Sequence, residues 1–429
     1  MLRNFSIEEE HAADGFDRPS SAMGSCILGE LGTFDVQNYG DLLYPILFEK
    51  MFQQRNETRK IHKFSLMGST SLQNSGYDTS PVGKLFSSRL GQPHTLIVGG
   101  GDLLRTDWDV MASHYRSLCL PRQKQSPLSG WRRLFKKRRN LSAEADRKFR
   151  RQHMNYPAVG PFIIEPGGDS DIKSVAYCSC GVPFPFDEQL KQRVAGAFDK
   201  STFIYVRDHP SENALIQAGV TRKIHVAPDL IVTLSDFFDA AAERKKGRAI
   251  LQQRGVDIGR RILCFQSNPQ SPENSAEVIR QLKTYQARTG CEVALLPLGW
   301  CHGDHEYLRQ LARDSGGAFK YIELDSIFDI IAVLAGCDVF LGTSLHGNIT
   351  AFSFGIPHLF GPIPVVKCGG FIEMANLPPD LKLGSWAQIN QKLDFAAGLG
   401  EEFLVTCSIV AKQQVHKAFD LLFRAVRSV

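Results

Sequence analysis

Several features of a membrane or secreted protein are missing from this sequence of 429 residues. No stretch offers the roughly 18 uninterrupted apolar residues of a membrane span. The nearest candidate, residues 349–366, is broken by two glycines, three prolines and a histidine. The first residues turn acidic at Glu8 and lack the apolar core of a secretory signal. These absences predict a cytoplasmic protein without a transmembrane helix.

Familiar enzyme signatures are missing as well. The ten cysteines form no CxxC pair, which favours reduced thiols over a disulfide framework. No GxGxxG turn follows a strand with an acidic residue about 20 positions later, which argues against a dinucleotide oxidoreductase. His302, Asp304 and His305 suggest metal ligands, but no further partners follow at a recognisable spacing, so a polar loop is favoured. We therefore predict no metal and no cofactor.

The positive charge is concentrated in one segment. The net charge is +5, yet residues 122–153 contain twelve Lys or Arg against two acidic residues, so the remainder is mildly acidic. Within the segment, Trp131, Leu134 and Phe135 form an apolar stripe at helical spacing. Three interpretations stay open: a solvated insert packed on its domain, a membrane-surface contact through residues 131–139, or a polyanion site. No nucleic-acid motif accompanies it, so no nucleic acid is expected.

Short apolar runs alternate with helical patterns along most of the chain. Strands are predicted at 95–98, 162–164, 174–178 and 203–207, and a helix at 44–53. Such alternation is typical of an α/β protein with parallel sheets. We predict a mobile leader at 1–24, then a Rossmann-like domain at 25–240 that carries the insert 122–153. A second Rossmann-like domain at 255–390 faces it across a cleft, GT-B-like, and a closing helix occupies 400–429.

Ligands of open α/β sheets bind beyond the carboxyl ends of the strands, where glycine turns let backbone N–H groups approach anions. Asn38 and Asp41 stand at such a turn, where a helix begins. Asp41 could cap that helix or act in catalysis. Gly100 and Gly101 follow the strand at 95–98, where a tight turn without a ligand is the alternative.

Basic residues follow two later strands. Arg207 ends the strand at 203–207 and could grip a carboxylate or phosphate, or else pair with Asp208 or Asp229. His346 lies in the first turn of a predicted helix, where it could act as acid, base or ligand. Lys367, taken alone, would be a surface lysine.

In order along the chain, these segments resemble the polysaccharide pyruvyl transferase family, over roughly residues 29–385. The matching motifs are Asn38-Tyr39-Gly40-Asp41, Gly99-Gly100-Gly101, Gly181, Val206-Arg207-Asp208, Gly219-Val220, Pro228-Asp229, Leu345-His346, Gly355-Ile356-Pro357 and Lys367. The resemblance implies a GT-B-like fold. It also implies transfer of the enolpyruvyl unit of phosphoenolpyruvate onto a sugar or lipid-linked oligosaccharide, usually as a pyruvate ketal.

The resemblance implies His346 as the acid–base residue, with Asp41 second, and Arg207 and Lys367 as anion ligands. The family pattern is Arg-x-His, and here Ser344 occupies the first position. That change removes an expected anion ligand, for which Lys367, Arg207 or Arg105 could substitute. Two other functions stay open, namely a GT-B glycosyltransferase that uses a nucleotide sugar and a non-catalytic glycan-binding relative.

Overall fold

The computed structural model describes residues 27–68, 77–87, 94–104, 158–167, 171–182, 184–269, 275–324, 326–363 and 366–428, with scattered positions between 108 and 156. The leader 1–24, Arg105 and the segment 131–139 lie outside the described residues, as does most of the insert 122–153. In the part of the chain that is described, no helix has both the length and the apolarity to cross a bilayer.

The first half of the chain forms a sheet of seven parallel strands in the order β3-β2-β1-β4-β5-β6-β7. The strands are β1 Ile27–Leu31, β2 Ile61–Ser65, β3 Ser80–Pro81, β4 His94–Gly101, β5 Ile172–Cys180, β6 Phe203–Val206 and β7 His225–Val226. The helices described here are α1 Tyr39–Gln53, α2 Lys84–Ser87, α3 Glu188–Asp199 and α4 His209–Gln217.

Two helices, α5 Leu234–Phe237 and α6 Ala240–Gln253, lead to a second sheet of five parallel strands in the order β10-β9-β8-β11-β12. Its strands are β8 Ile262–Gln266, β9 Glu292–Leu295, β10 Lys320–Tyr321, β11 Val339–Gly342 and β12 His358–Phe360. The helices that follow α6 are α7 Ser275–Thr289, α8 Asp304–Asp314, α9 Ile327–Gly336, α10 Leu345–Ser353, α11 Lys367–Met374, α12 Ile389–Gly398 and α13 Glu401–Arg427.

Helix α13 returns from the second sheet to the first. The ring of Phe419 packs against Phe48 and Phe52 of α1, with centroid distances of 5.4 and 5.1 Å. Arg55 binds Asp420 in an ion pair of 2.6 Å at the same contact. These contacts help to hold the two halves of the chain together.

The strand order of each sheet reverses direction at one place, between β1 and β4 in the first sheet and between β8 and β11 in the second. Adjacent crossover connections leave in opposite directions at such a point, which opens a crevice beyond the carboxyl ends of the strands. The turns that follow β1, β4, β8 and β11 are therefore the places where the fold can hold a ligand.

Two local predictions were wrong. Residues 162–164 form no strand of the sheet and take part only in an isolated bridge between Gly160 and Ile163. Their apolar character reflects burial, and the hydroxyl of Tyr177 bonds to both backbone groups of Ile164 at 3.2 Å. The helix predicted at 44–53 begins five residues earlier, at Tyr39, with Asn38 as its N-cap. The proposed domain boundaries stay predictions.

Candidate active site

A cavity of about 430 Å³ lies between the carboxyl edges of the two sheets. The first half contributes turns that follow β1 and β4, and the second half contributes turns that follow β8, β9, β11 and β12. Its polar lining includes Asn38, Asp41, Asp102, Gln266, Asp304, Ser344, His346 and Lys367. The cavity thus opens at both reversal points of strand order.

The two halves touch directly beside the cavity. Asn38 forms an antiparallel bridge with Gly299, and the N–H of Tyr39 donates to the carbonyl of Leu298 at 2.9 Å. The hydroxyl groups of Tyr39 and Thr350 lie 2.9 Å apart, which joins α1 to α10. The start of α1 is therefore held against the second half by backbone and side-chain bonds.

His346 lies in the first turn of α10, whose N-cap is Ser344. The Ser344 hydroxyl accepts a hydrogen bond from the N–H of Gly347 at 3.2 Å, which accounts for the serine at this position. The imidazole packs on the backbone of Gly40, where a Cβ atom would stand only 1.7 Å from Nδ1. Glycine is therefore required at position 40 for the ring to occupy this place.

A buried carboxylate stands behind the imidazole. Oδ2 of Asp229 lies 3.7 Å from Nε2 of His346 and accepts a hydrogen bond of 2.7 Å from the hydroxyl of Tyr44. Burial alone would raise the pKa of Asp229, but His346 and Arg207 outweigh it and hold that pKa below its ordinary value. The carboxylate stays ionised and can orient the ring and stabilise its protonated form.

Arg207 lies under the wall of the cavity, with 3% of its side chain exposed. Its guanidinium bonds to Asp102 and lies 3.4 Å from Asp229, while Nε stands 3.8 Å from Asp208. Burial opposes the charge, but these carboxylates raise the pKa of Arg207 above its usual range. The pair with Asp229 is the alternative that the sequence left open, and Asp102 is a further partner.

The cavity wall also holds a cation that is partly accessible. Lys367 begins α11 and has 29% of its side chain exposed, and its amine lies 3.3 Å from Oδ2 of Asp102. Although burial would raise the pKa of Asp102, Arg207 and Lys367 lower it below the ordinary value. Asp102 therefore connects the buried arginine to the lysine at the cavity.

The other predicted site residues differ in whether they line the cavity. Asn38 donates to Asp41 Oδ2 at 3.0 Å, and both side chains line the cavity. Gly100 and Gly101 have φ of +85° and +78°, a conformation that favours glycine. Gly101 lines the cavity, whereas Gly100 packs on the ring of Tyr44. A Cβ atom at position 100 would stand 2.2 Å from a carbon of that ring.

The structure thus brings most of the predicted residues together at one cavity. The exceptions are Arg207 and Gly100, which lie behind its wall, and Arg105, which is outside the described residues. Sequence reasoning did not select four side chains that belong to the site or support it, namely Asp102, Asp229, Gln266 and Asp304. Two of them were visible as polar residues at strand ends, since Asp102 follows β4 and Gln266 ends β8.

A polysaccharide pyruvyl transferase domain is detected over residues 171–360. The matched span includes Arg207, Asp229 and His346 and is shorter than the 29–385 over which the motifs suggested the resemblance. No protein with a curated description matches the chain in sequence. The detected domain supports a transferase of polysaccharide biosynthesis.

Solved structures resemble the whole fold. Alr3699/HepE from Anabaena, in complex with UDP and glucose, shares 11% identity over 94% of this chain and 100% of its own, with a TM-score of 0.51. UDP-GlcNAc 2-epimerase from Neisseria meningitidis, bound to UDP-GlcNAc, shares 10% over the same fractions, with a TM-score of 0.54. At these identities the likeness establishes the fold, which confirms the predicted GT-B-like architecture of two Rossmann-like units.

Proposed function

We propose that this chain moves the pyruvyl unit of phosphoenolpyruvate onto two hydroxyls of a sugar, as a pyruvate ketal, during the synthesis of an exopolysaccharide or cell-surface glycan. The observation that carries the proposal is His346 at the start of α10, fixed between Gly40 and ionised Asp229 inside the detected domain. A neutral histidine backed by a carboxylate is suited to accept a proton from a hydroxyl.

The donor carries a carboxylate and a phosphate, so it needs fixed positive groups. Lys367 supplies an accessible amine, and the N–H groups in the first turn of α10 supply the positive end of a helix. Because its guanidinium is surrounded by carboxylates, we assign Arg207 to holding Asp102 and Asp229 in place rather than to the donor. Ser344 contributes as the cap of α10.

The chemistry follows from the donor. A sugar hydroxyl attacks C2 of phosphoenolpyruvate and gives its proton to His346, which delivers a proton to C3 and returns to its starting form. A second hydroxyl then attacks C2, the bond from C2 to the phosphate oxygen breaks, and phosphate leaves with the proton of that hydroxyl. Asp41 and Asn38 lie across the cavity, where they can bind acceptor hydroxyls. The scheme uses no cofactor and no metal.

Phosphate release from phosphoenolpyruvate, followed by phosphorus NMR with a panel of sugar acceptors, tests the proposal. His346→Gln is expected to lower the rate about 10²- to 10⁴-fold, as loss of a general base does. His416→Gln is the matched control, because His416 lies on α13 and bonds to Asp236 away from the cavity. Equal rates for both variants would contradict the role of His346.

Donor binding isolates the role of Lys367. We expect Lys367→Met to weaken the binding of phosphoenolpyruvate about tenfold in titration calorimetry, as loss of a partly exposed charge–charge contact would do. Lys392→Met is the control, because Lys392 lies on α12 and pairs with Asp380, and neither residue lines the cavity. Unchanged affinity in Lys367→Met would mean that the donor binds elsewhere in the cavity.

A GT-B glycosyltransferase that uses a nucleotide sugar is the second candidate, favoured by the UDP and UDP-GlcNAc bound to the two similar structures. Parallel thermal shifts with phosphoenolpyruvate, UDP and UDP-GlcNAc separate the two functions, because a ligand raises the melting temperature of the protein that binds it. A shift with UDP alone would favour glycosyl transfer. Glycan binding without turnover of any donor would indicate a non-catalytic relative.

If the acceptor is a lipid-linked oligosaccharide at the cytoplasmic face of a membrane, the basic segment 131–139 would hold the protein at that surface. Anionic vesicles attract such basic, apolar segments. Replacement of the six Lys and Arg residues of 131–139 by Gln is then expected to abolish pelleting with anionic vesicles. Unchanged pelleting would contradict the membrane contact and favour a soluble sugar as the acceptor.

A further inference from the structure

One buried amide joins two turns of the second half beneath the cavity. Gln266 is the last residue of β8, and its Oε1 accepts hydrogen bonds from the N–H of Ser344 at 2.8 Å and the hydroxyl of Thr343 at 3.3 Å. Its Nε2 donates to Oδ2 of Asp304 at 2.8 Å. With donors on one side and an acceptor on the other, the amide has a single satisfactory orientation.

Asp304 accepts hydrogen bonds from the turn that follows β9. It begins α8 with 1% of its surface exposed, and Oδ2 also accepts from the N–H groups of Leu298 at 3.1 Å and Gly299 at 2.9 Å. The other oxygen, Oδ1, is buried and has no hydrogen-bond partner among the described residues. One oxygen thus receives three donors, an arrangement suited to a carboxylate ion.

Leu298 and Gly299 are also the residues that meet the first half. The carbonyl of Leu298 accepts from Tyr39, and Gly299 bridges Asn38. A continuous set of hydrogen bonds therefore runs from the start of α10, through Gln266 and Asp304, to the start of α1. The two helix starts carry the polar walls of the cavity.

We propose that Gln266 and Asp304 are positioning residues that set the separation of these two walls. The inference rests on the proposed function where it concerns catalysis, whereas the hydrogen-bond arrangement can be tested without any substrate. Neither residue needs to touch a substrate. Because opening of these turns returns the Asp304 carboxyl to water, where its pKa is lower, ionisation of Asp304 favours opening of both helix starts.

The carboxyl group is placed to titrate under mild conditions. Burial raises the pKa of Asp304 to about 6. The other titratable groups around it are Cys301 and His302 on the β9 turn, His305 on α8, Asp41 on α1 and Tyr321 on β10. Of these side chains, the two histidines are the ones whose ordinary pKa lies near 6, so each needs its own control.

Hydrogen exchange of the full chain tests the proposal without any substrate. After correction for intrinsic rates, peptides covering 296–302 and 342–348 should exchange more slowly at pH 5.5 than at pH 7.5 in the wild type, because the closed arrangement binds a proton at Asp304 that the opened one releases. Asp304→Asn should exchange equally fast at both pH values. Asp314→Asn, at the exposed end of the same helix, and His302→Gln and His305→Gln should keep the step. A step that persists in Asp304→Asn, or disappears in a histidine variant, overturns the proposal.

Turnover gives a second readout once a donor and acceptor are known. Asp304→Asn should lower kcat about 10- to 100-fold at pH 7.5, as a small misplacement of catalytic groups does. Gln266→Met keeps a carboxylate at 304 but removes a donor to it, so its exchange step should move to higher pH. An unmoved step in Gln266→Met contradicts the link even if Asp304→Asn fails to fold. If no turnover is found, the exchange results still decide the proposal.

Discussion

Two acidic regions of the first sheet differ sharply in their electrostatics. At its carboxyl edge, Asp102 and Asp229 surround Arg207, and both carboxyl groups have pKa values below the ordinary one. In the middle of β1, both oxygens of Glu30 are buried, and no group in the described part of the chain forms a hydrogen bond with them. Burial raises the pKa of Glu30 to about 8, against a smaller lowering effect of Lys63, which is paired to Glu49. The charged arginine, rather than the depth of burial, makes the difference.

Asp304 lies between these extremes. It is buried like Asp229 and Glu30, and among the described residues it receives three neutral donors and no cation. Its pKa is about 6. The three environments form a series. A guanidinium stabilises the ionised acid most, neutral N–H groups stabilise it less, and an environment with neither stabilises it least. Ionised carboxylates occur at the candidate site because Arg207 compensates them.

Removal of the compensating charge should have the largest effect. Arg207→Met removes the guanidinium beside buried Asp229 and leaves Asp102 with Lys367 alone, so we expect a loss of about 3–5 kcal/mol in the free energy of unfolding. Urea unfolding measures it. Arg244→Met is the control, because Arg244 is exposed and its pair with Asp338 should contribute less than about 1 kcal/mol. Equal losses in the two variants would mean that the buried cluster contributes no special stability.

Glu30 should make the protein less stable as the pH rises. The folded state keeps the proton up to pH near 8, whereas the unfolded chain releases it near 4.5, so the free energy of unfolding falls by about 1.4 kcal/mol per pH unit between these values. Glu30→Gln should remove this contribution to the slope. Urea unfolding at pH 5.5, 6.5 and 7.5 tests this prediction, with exposed Glu188→Gln as the control. The prediction is wrong if both variants keep the wild-type slope.

A smaller effect is expected where the backbone approaches the compensated cluster. A Cβ at Gly181 would lie 2.7 Å from both Nη2 of Arg207 and Oδ1 of Asp102, so Gly181→Ala should cost about 1–3 kcal/mol by spreading that pair. Gly196→Ala is the control, because position 196 lies in α3 with open space around it and should gain about 0.5–1 kcal/mol. A neutral Gly181→Ala would show that the cluster tolerates rearrangement.

Much of the local structure could be predicted because it depends on short patterns. The strands predicted at 95–98, 174–178 and 203–207 coincide with β4, β5 and β6, to within a few residues at their ends. His346 was placed in a helix start for the same reason. The strand predicted at 162–164 failed because an apolar run reports burial and carries no information about hydrogen-bond partners. Strands β1 and β2 were not predicted at all.

The sequence by itself determined the α/β alternation, the glycine turns at the strand ends and the helix start that carries His346. Each of these depends on residues a few positions apart. Only the tertiary structure decided that Arg207 meets Asp102, 105 positions away, and that the His346 ring rests on Gly40. Those contacts depend on which strand ends the sheet order brings together, and that order comes from packing over the whole chain. The role of Arg207 could therefore be assigned only from its neighbours in space.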